Sequence, residues 1–93
     1  MALQFVWNER KAASNQRKHG ISFVEAATAF SDPLSVTIPD PDHSEDEERF
    51  ILIGQTHKVH IVVVAHFERG DVIRIISARP ATRRERSVYE EGE

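Results

Sequence analysis

The chain has 93 residues, a net charge of −3 and no cysteine. That length suits one compact domain over residues 1–93, hiding roughly 60–65% of the unfolded surface, and the lack of cysteine excludes disulfides, thiolate metal sites and a thiol nucleophile. No apolar run reaches the ~20 residues needed to cross a bilayer, and the opening MALQFVWNERK has no signal-peptide core, so a cytoplasmic protein without a membrane partner is expected.

Apolar and aromatic content predicts a short strand over residues 3–7, followed by Asn8 as an N-cap and a surface helix that ends at Gly20. Only Ala12 and Ala13 anchor that helix, which leaves Arg10, Lys11, Arg17 and Lys18 largely in solvent. Ser22 and Glu25 have capping-box spacing, and Phe23, Ala26, Ala27 and Phe30 recur at i, i+3, i+4, i+7, so a second helix packs one apolar stripe before Asp32 and Pro33 stop it. A strand over residues 34–38 leads into a polar loop over residues 40–48. Period-two runs over residues 49–56, 58–67 and 72–79, separated by short polar breaks, then read as an antiparallel meander. Thr82 and Glu85 form a second capping box ahead of a closing helix over residues 83–89. The order β-α-α-β-β-β-β-α is that of a small α+β domain with an antiparallel sheet, two N-terminal helices and a C-terminal helix. Helices on one face leave the other open to a ligand.

The charges are sorted rather than mixed. Asp40, Asp42, Glu45, Asp46, Glu47 and Glu48 form an acidic block; Arg10, Lys11, Arg17 and Lys18 form one basic group, and Arg69, Arg74, Arg79, Arg83, Arg84 and Arg86 another. Screening limits distant charges to a reach of about 8 Å, so a basic patch can hold a polyanion on a weakly acidic molecule. The acidic loop, with His43, lacks the fixed spacing and turn glycine of a calcium site; it reads as a solvated run that repels a polyanion from a wrong register or meets a basic partner. No metal or cofactor is expected.

Strand parity puts Arg74 and Arg79 on opposite faces unless a bulge or the strand end intervenes. On a functional reading the two arginines hold a phosphate and His66 exchanges a proton. Ordinary roles stay open: a rim arginine paired with an acid, and a strand histidine used in packing. Lys18 and His19 also suit the negative end of the first helix's dipole, and Tyr89 and Trp7 read as packing residues. Whether Arg74 lies across from His66 depends on a hairpin register that residues 68–71 do not set uniquely.

The segments WNERKAASNQRKHGISFVEAATAF, DP, ERFILIG and DVIRIISARPATRRERSVYEEG together resemble the BrnT toxin family of type II toxin–antitoxin systems. The resemblance covers nearly the whole chain. It implies a RelE-like fold, a ribonuclease activity that arrests translation, and neutralisation by a BrnA-like antitoxin whose ribbon-helix-helix part contacts DNA, so that DNA is met only indirectly. It makes Arg74 and Arg79 phosphate clamps, and it implies substrate contacts or acid–base help from Lys18 and His19. Arg49 then borders the site, with Arg83 and Arg84 as further RNA contacts. Three positions depart from the pattern: Asn8 replaces a usual aspartate, Pro80 stands where a basic residue is frequent, and His66 replaces another aromatic side chain. The leading expectation is a metal-independent RNA endonuclease. The alternative is a catalytically weak module that acts as co-regulator in a DNA-binding complex with its antitoxin, and Pro80 and the negative net charge favour it slightly. A direct DNA-binding repressor has no helix-turn-helix or ribbon signature here.

Overall fold

A computed structural model describes residues 2–41 and 48–92. Asp42, His43, Glu45, Asp46 and Glu47 of the acidic block lie outside the described residues. The elements are β1 (Gln4–Val6), α1 (Glu9–His19), α2 (Phe23–Thr28), a 3-10 turn (Ala29–Ser31), β2 (Val36–Pro39), β3 (Arg49–Gln55), β4 (Ile61–Arg69), β5 (Val72–Pro80) and α3 (Arg83–Glu91). Among the described residues the strands form one sheet in the order β1-β5-β4-β3-β2.

Strands β3 to β5 are the expected meander, and β2 joins it antiparallel to β3. β1 differs from the expectation, because it runs parallel to β5 and makes the sheet mixed. From β1 the chain crosses one sheet face through α1 and α2, enters the sheet at the far edge as β2, and meanders back until β5 lies beside β1. The apolar stripe of α2 continues past its end as the 3-10 turn, since Pro33 disfavours helical geometry at Asp32, which is extended at ψ 114°. Gly70, at φ 59°, opens the two-residue turn that joins Arg69 to its partner Val72 and so sets the β4–β5 register.

The main core lies between the helices and one sheet face, where Phe23, Ala26 and Ala29 meet Leu52, Val62, Val64, Ile73, Ile75 and Ala78. Burying a side chain such as Phe23 contributes roughly 1.5–3 kcal/mol. A smaller cluster of Ile53, Val63 and Ala81, with Ile51, Ile61 and Tyr89 against it, lies on the other face under α3. Tyr89 does more than pack there, because its hydroxyl donates to Asp32 Oδ2 at 2.6 Å. The same carboxylate accepts from the Leu34 and Gln55 amides, tying α3, β3 and the end of the 3-10 turn together.

Asn15 is the buried polar residue of α1. Its Nδ2 donates to the Ile21 and Ala78 carbonyls at 3.0 and 2.8 Å, and its Oδ1 accepts from the Ala78 amide at 3.1 Å. β1 pairs only with Val72 to Arg74, so Asn15 supplies at Ala78 the ladder partners that β1 does not reach.

Candidate functional site

A bulge in β5 decides which charged side chains share a face. Ala65 pairs with Ser77 while the next residue, His66, pairs with Ile75, so Ile76 is the extra residue and strand parity flips there. Val63 therefore pairs with Arg79 and Phe67 with Arg74, on the face away from α1 and α2. Both arginines are on one face, as the clamp expectation required. Their partners on β4 are four positions apart, a span of roughly 14 Å at about 3.4 Å per residue.

Arg74 is exposed, and Phe67 lies between it and Arg49 in the strand register. The Arg49 guanidinium carbon is 5.9 Å from the Phe67 ring centroid. Its buried Nε is 3.2 Å from Asp40 Oδ2, an ion pair without an aligned hydrogen bond. Arg49, Phe67 and Arg74 thus form a row at the end of the sheet that holds the β4–β5 turn.

At the opposite end Arg79 makes a fork with Glu85, Nη1 to Oε1 and Nη2 to Oε2, both at 2.8 Å. Glu85 also accepts from the Thr82 amide at 2.9 Å and completes the capping box of α3, so one carboxylate fixes the strand end to the helix start. The hydrogen bond from Arg79, with its positive charge and the Thr82 contacts, outweighs burial and holds the Glu85 carboxyl down at about 2. The same fork raises the Arg79 pKa further. A depressed carboxyl contributes stability that is present above its unfolded value near 4.5 and is lost as pH falls towards 2. Glu85→Gln is expected to flatten the stability profile between those two values, read by denaturant titration at each pH.

Beside the fork is a cleft of about 450 Å³ where four elements meet. His19 and Gly20 come from the end of α1, Gln55 from the end of β3, His60 from the β3–β4 connection, Pro80 from β5 and Arg86 from α3. Gly20, left-handed at φ 77°, caps α1 and turns the chain into the cleft wall. Lys18 is exposed next to His19, and Arg83 and Arg84 are exposed on the first turn of α3. Lys18, His19, Arg79, Arg83 and Arg84 thus belong to this end of the sheet, whereas Arg49 and Arg74 belong to the other.

His66 joins neither group. It is fully buried on the helix side of the sheet, edge-on to Phe30 at 4.8 Å and stacked on Phe50 at 6.0 Å. Its Nε2 is 2.9 Å from Glu68 Oε2 and its Nδ1 is 3.2 Å from the Val64 carbonyl. The register puts it across from Ile75 rather than Arg74. Proton exchange between His66 and a phosphate held by Arg74 is thereby corrected to a packing role, because the two side chains lie on opposite faces.

Two residues that sequence reasoning passed over flank the cleft. Glu25, 4% exposed, accepts from Thr56 Oγ1 and bonds His60 Nδ1, each at 2.7 Å. Burial raises the Glu25 pKa, but the hydrogen bonds from Thr56 and His60 and the charges of His60 and Lys58 bring it below the ordinary value. Ser22 accepts from the Glu25 amide at 3.0 Å, so the predicted cap forms, while the Glu25 side chain is used elsewhere. The signal in the sequence was the polar break itself, where His57, Lys58 and His60 crowd one hairpin connection. Among the described residues no three of His, Asp and Glu converge as metal ligands, and no helix is long and apolar enough to cross a membrane.

A family model described as the ribonuclease toxin BrnT of type II toxin–antitoxin systems matches residues 7–85. The crystal structure of the Brucella abortus ribonuclease toxin BrnT is similar over 88% of this chain and 100% of that one, with a TM-score of 0.67 and 24% sequence identity. At that identity the likeness shows the shared fold. Comparison with curated proteins finds no match.

Proposed function

The chain belongs to the BrnT family of ribonuclease toxins of type II toxin–antitoxin systems, and from that premise we propose that it is a metal-independent RNA endonuclease that arrests translation in the cytoplasm. The observation that carries this reading is the convergence of His19, His60 and Arg86 on one cleft, with the Arg79 fork beside it and Lys18, Arg83 and Arg84 at the same end. Cleavage of this kind needs three things: an activated 2′-hydroxyl, stabilisation of the charged phosphorane, and a proton for the leaving oxygen. Arginine and lysine provide the second, and Arg79 is the main phosphate contact, with Glu85 as its counter-ion when RNA is absent. Arg74 and Arg49, beside Phe67, hold the strand farther along the face, where an aromatic ring suits an unpaired base. The reading calls on no cofactor.

A BrnA-like ribbon-helix-helix antitoxin is the partner that silences the protein by covering the basic end, and contact with DNA runs through that complex. A second reading, a binding module with little catalysis, is favoured by one observation: the Arg79 fork is already satisfied by Glu85. Induced expression tests the choice. Wild type is expected to stop growth and protein synthesis, co-expression of a downstream ribbon-helix-helix protein to restore both, and Arg79→Ala to be harmless while still binding that partner. Unimpaired growth with soluble wild type would favour the binding module.

A further inference from the structure

Resting on the RNA-cleaving reading, we infer that His60, held by the buried carboxylate of Glu25, is the group that takes the proton from the 2′-hydroxyl. Glu25 is at the third position of α2, where a glutamate side chain ordinarily returns to its own N-cap. Here it turns instead to a residue 35 positions along the chain. A carboxylate buried this deeply is unfavourable unless its partners are fixed, and they are. The Thr56 hydroxyl donates to Glu25 and accepts from the Lys58 and His60 amides at 3.2 and 3.3 Å, which locks the connection from both sides. Val59, between those two residues, is held at φ 67°, a left-handed conformation that β-branched residues rarely adopt.

The result is a histidine with one nitrogen committed and one available. Nδ1 bonds to Glu25, whereas the His60 side chain is 56% exposed and lines the cleft with His19 and Arg86. A carboxylate on Nδ1 fixes the tautomer with the proton there, leaves Nε2 as the acceptor, and stabilises the imidazolium that forms. In the step, the 2′ O–H bond breaks and its proton goes to Nε2 as the 2′ oxygen bonds to phosphorus. The bond from phosphorus to the 5′ oxygen then breaks and that oxygen takes a proton from water, leaving a 2′,3′-cyclic phosphate and a 5′-hydroxyl. Glu25 acts as a positioning residue. The charged or titratable groups around the ring are Glu25 from α2, His19 from α1, His57 and Lys58 from the connection itself, and Arg86 from α3.

The test is the pH–rate profile of the full-length protein on a short RNA with one scissile bond, run beside far-UV circular dichroism and a gel-shift affinity. His60→Asn keeps an amide to meet Glu25 and removes the proton acceptor, so it is expected to lose about 10²- to 10⁴-fold in kcat with fold and RNA affinity kept. Glu25→Gln is expected to stay folded and to lower kcat with KM and RNA affinity kept, since the carboxylate that orients the His60 ring through Nδ1 is lost. A folded His60→Asn protein with the wild-type rate and profile would overturn the inference alone. Wild type that leaves RNA intact would overturn the RNA-cleaving reading beneath it.

Discussion

Arg79→Ala is expected to slow RNA cleavage by about 10²- to 10³-fold, the usual effect of removing one donor aimed at a developing oxyanion. The variant also loses stability, because Glu85 remains 27% exposed with its partner gone. A fully buried pair broken in this way costs about 3–5 kcal/mol, but the Arg79 side chain is 39% exposed and solvent screens the contact, so about 1–2 kcal/mol is expected. The two effects separate in a double variant. Adding Glu85→Gln removes the stranded charge while keeping an acceptor for the Thr82 amide, so stability recovers and cleavage does not. Arg79→Lys keeps the charge and loses the fork, and an intermediate rate is expected. Single-turnover cleavage and urea unfolding of the four proteins check the set. Full activity in folded Arg79→Ala would remove Arg79 from the site.

The largest loss of stability is expected away from the site, at Asn15. Asn15→Ala strips the Ala78 amide and carbonyl and the Ile21 carbonyl of their partners in a position water does not reach. Each buried group left unsatisfied costs about 1–3 kcal/mol, and with partial relaxation the total comes to about 3–5 kcal/mol. Asn15→Asp keeps the acceptor for the Ala78 amide but aims a charge at two carbonyls, and it is expected to do no better. Urea unfolding midpoints measure both. The consequence reaches the cleft, because Asn15 holds β5 two residues before Pro80 and ties α1 to Ile21, on the cleft wall.

Local rules made much of this molecule legible before its structure. Asn8, Ser22 and Thr82 each accept a hydrogen bond from an amide three residues on, as their spacing implied. The apolar stripe of α2 and the alternation of β3 to β5 predicted the main core. What failed to show involved residues far apart in sequence. The parallel pairing of β1 with β5 follows from where the crossover delivers the chain, and no property of residues 4–6 announces it. The bulge at Ile76 has no glycine or proline to mark it, yet it alone places Arg74 and Arg79 on one face. Glu25 was legible as a cap residue and hidden as a partner of His60, because local spacing accounts for its backbone and says nothing of its carboxylate. His66 misled for the opposite reason: an ionisable ring on an alternating strand looks like a reactive group until the packing of Phe30 and Phe50 encloses it.

Incubation of the purified protein with a defined RNA in excess chelator, with the product ends mapped, tests the central claim most directly. The account predicts cleavage that chelator does not diminish, with 2′,3′-cyclic phosphate and 5′-hydroxyl ends. Intact RNA, or cleavage that disappears with the chelator, would contradict it.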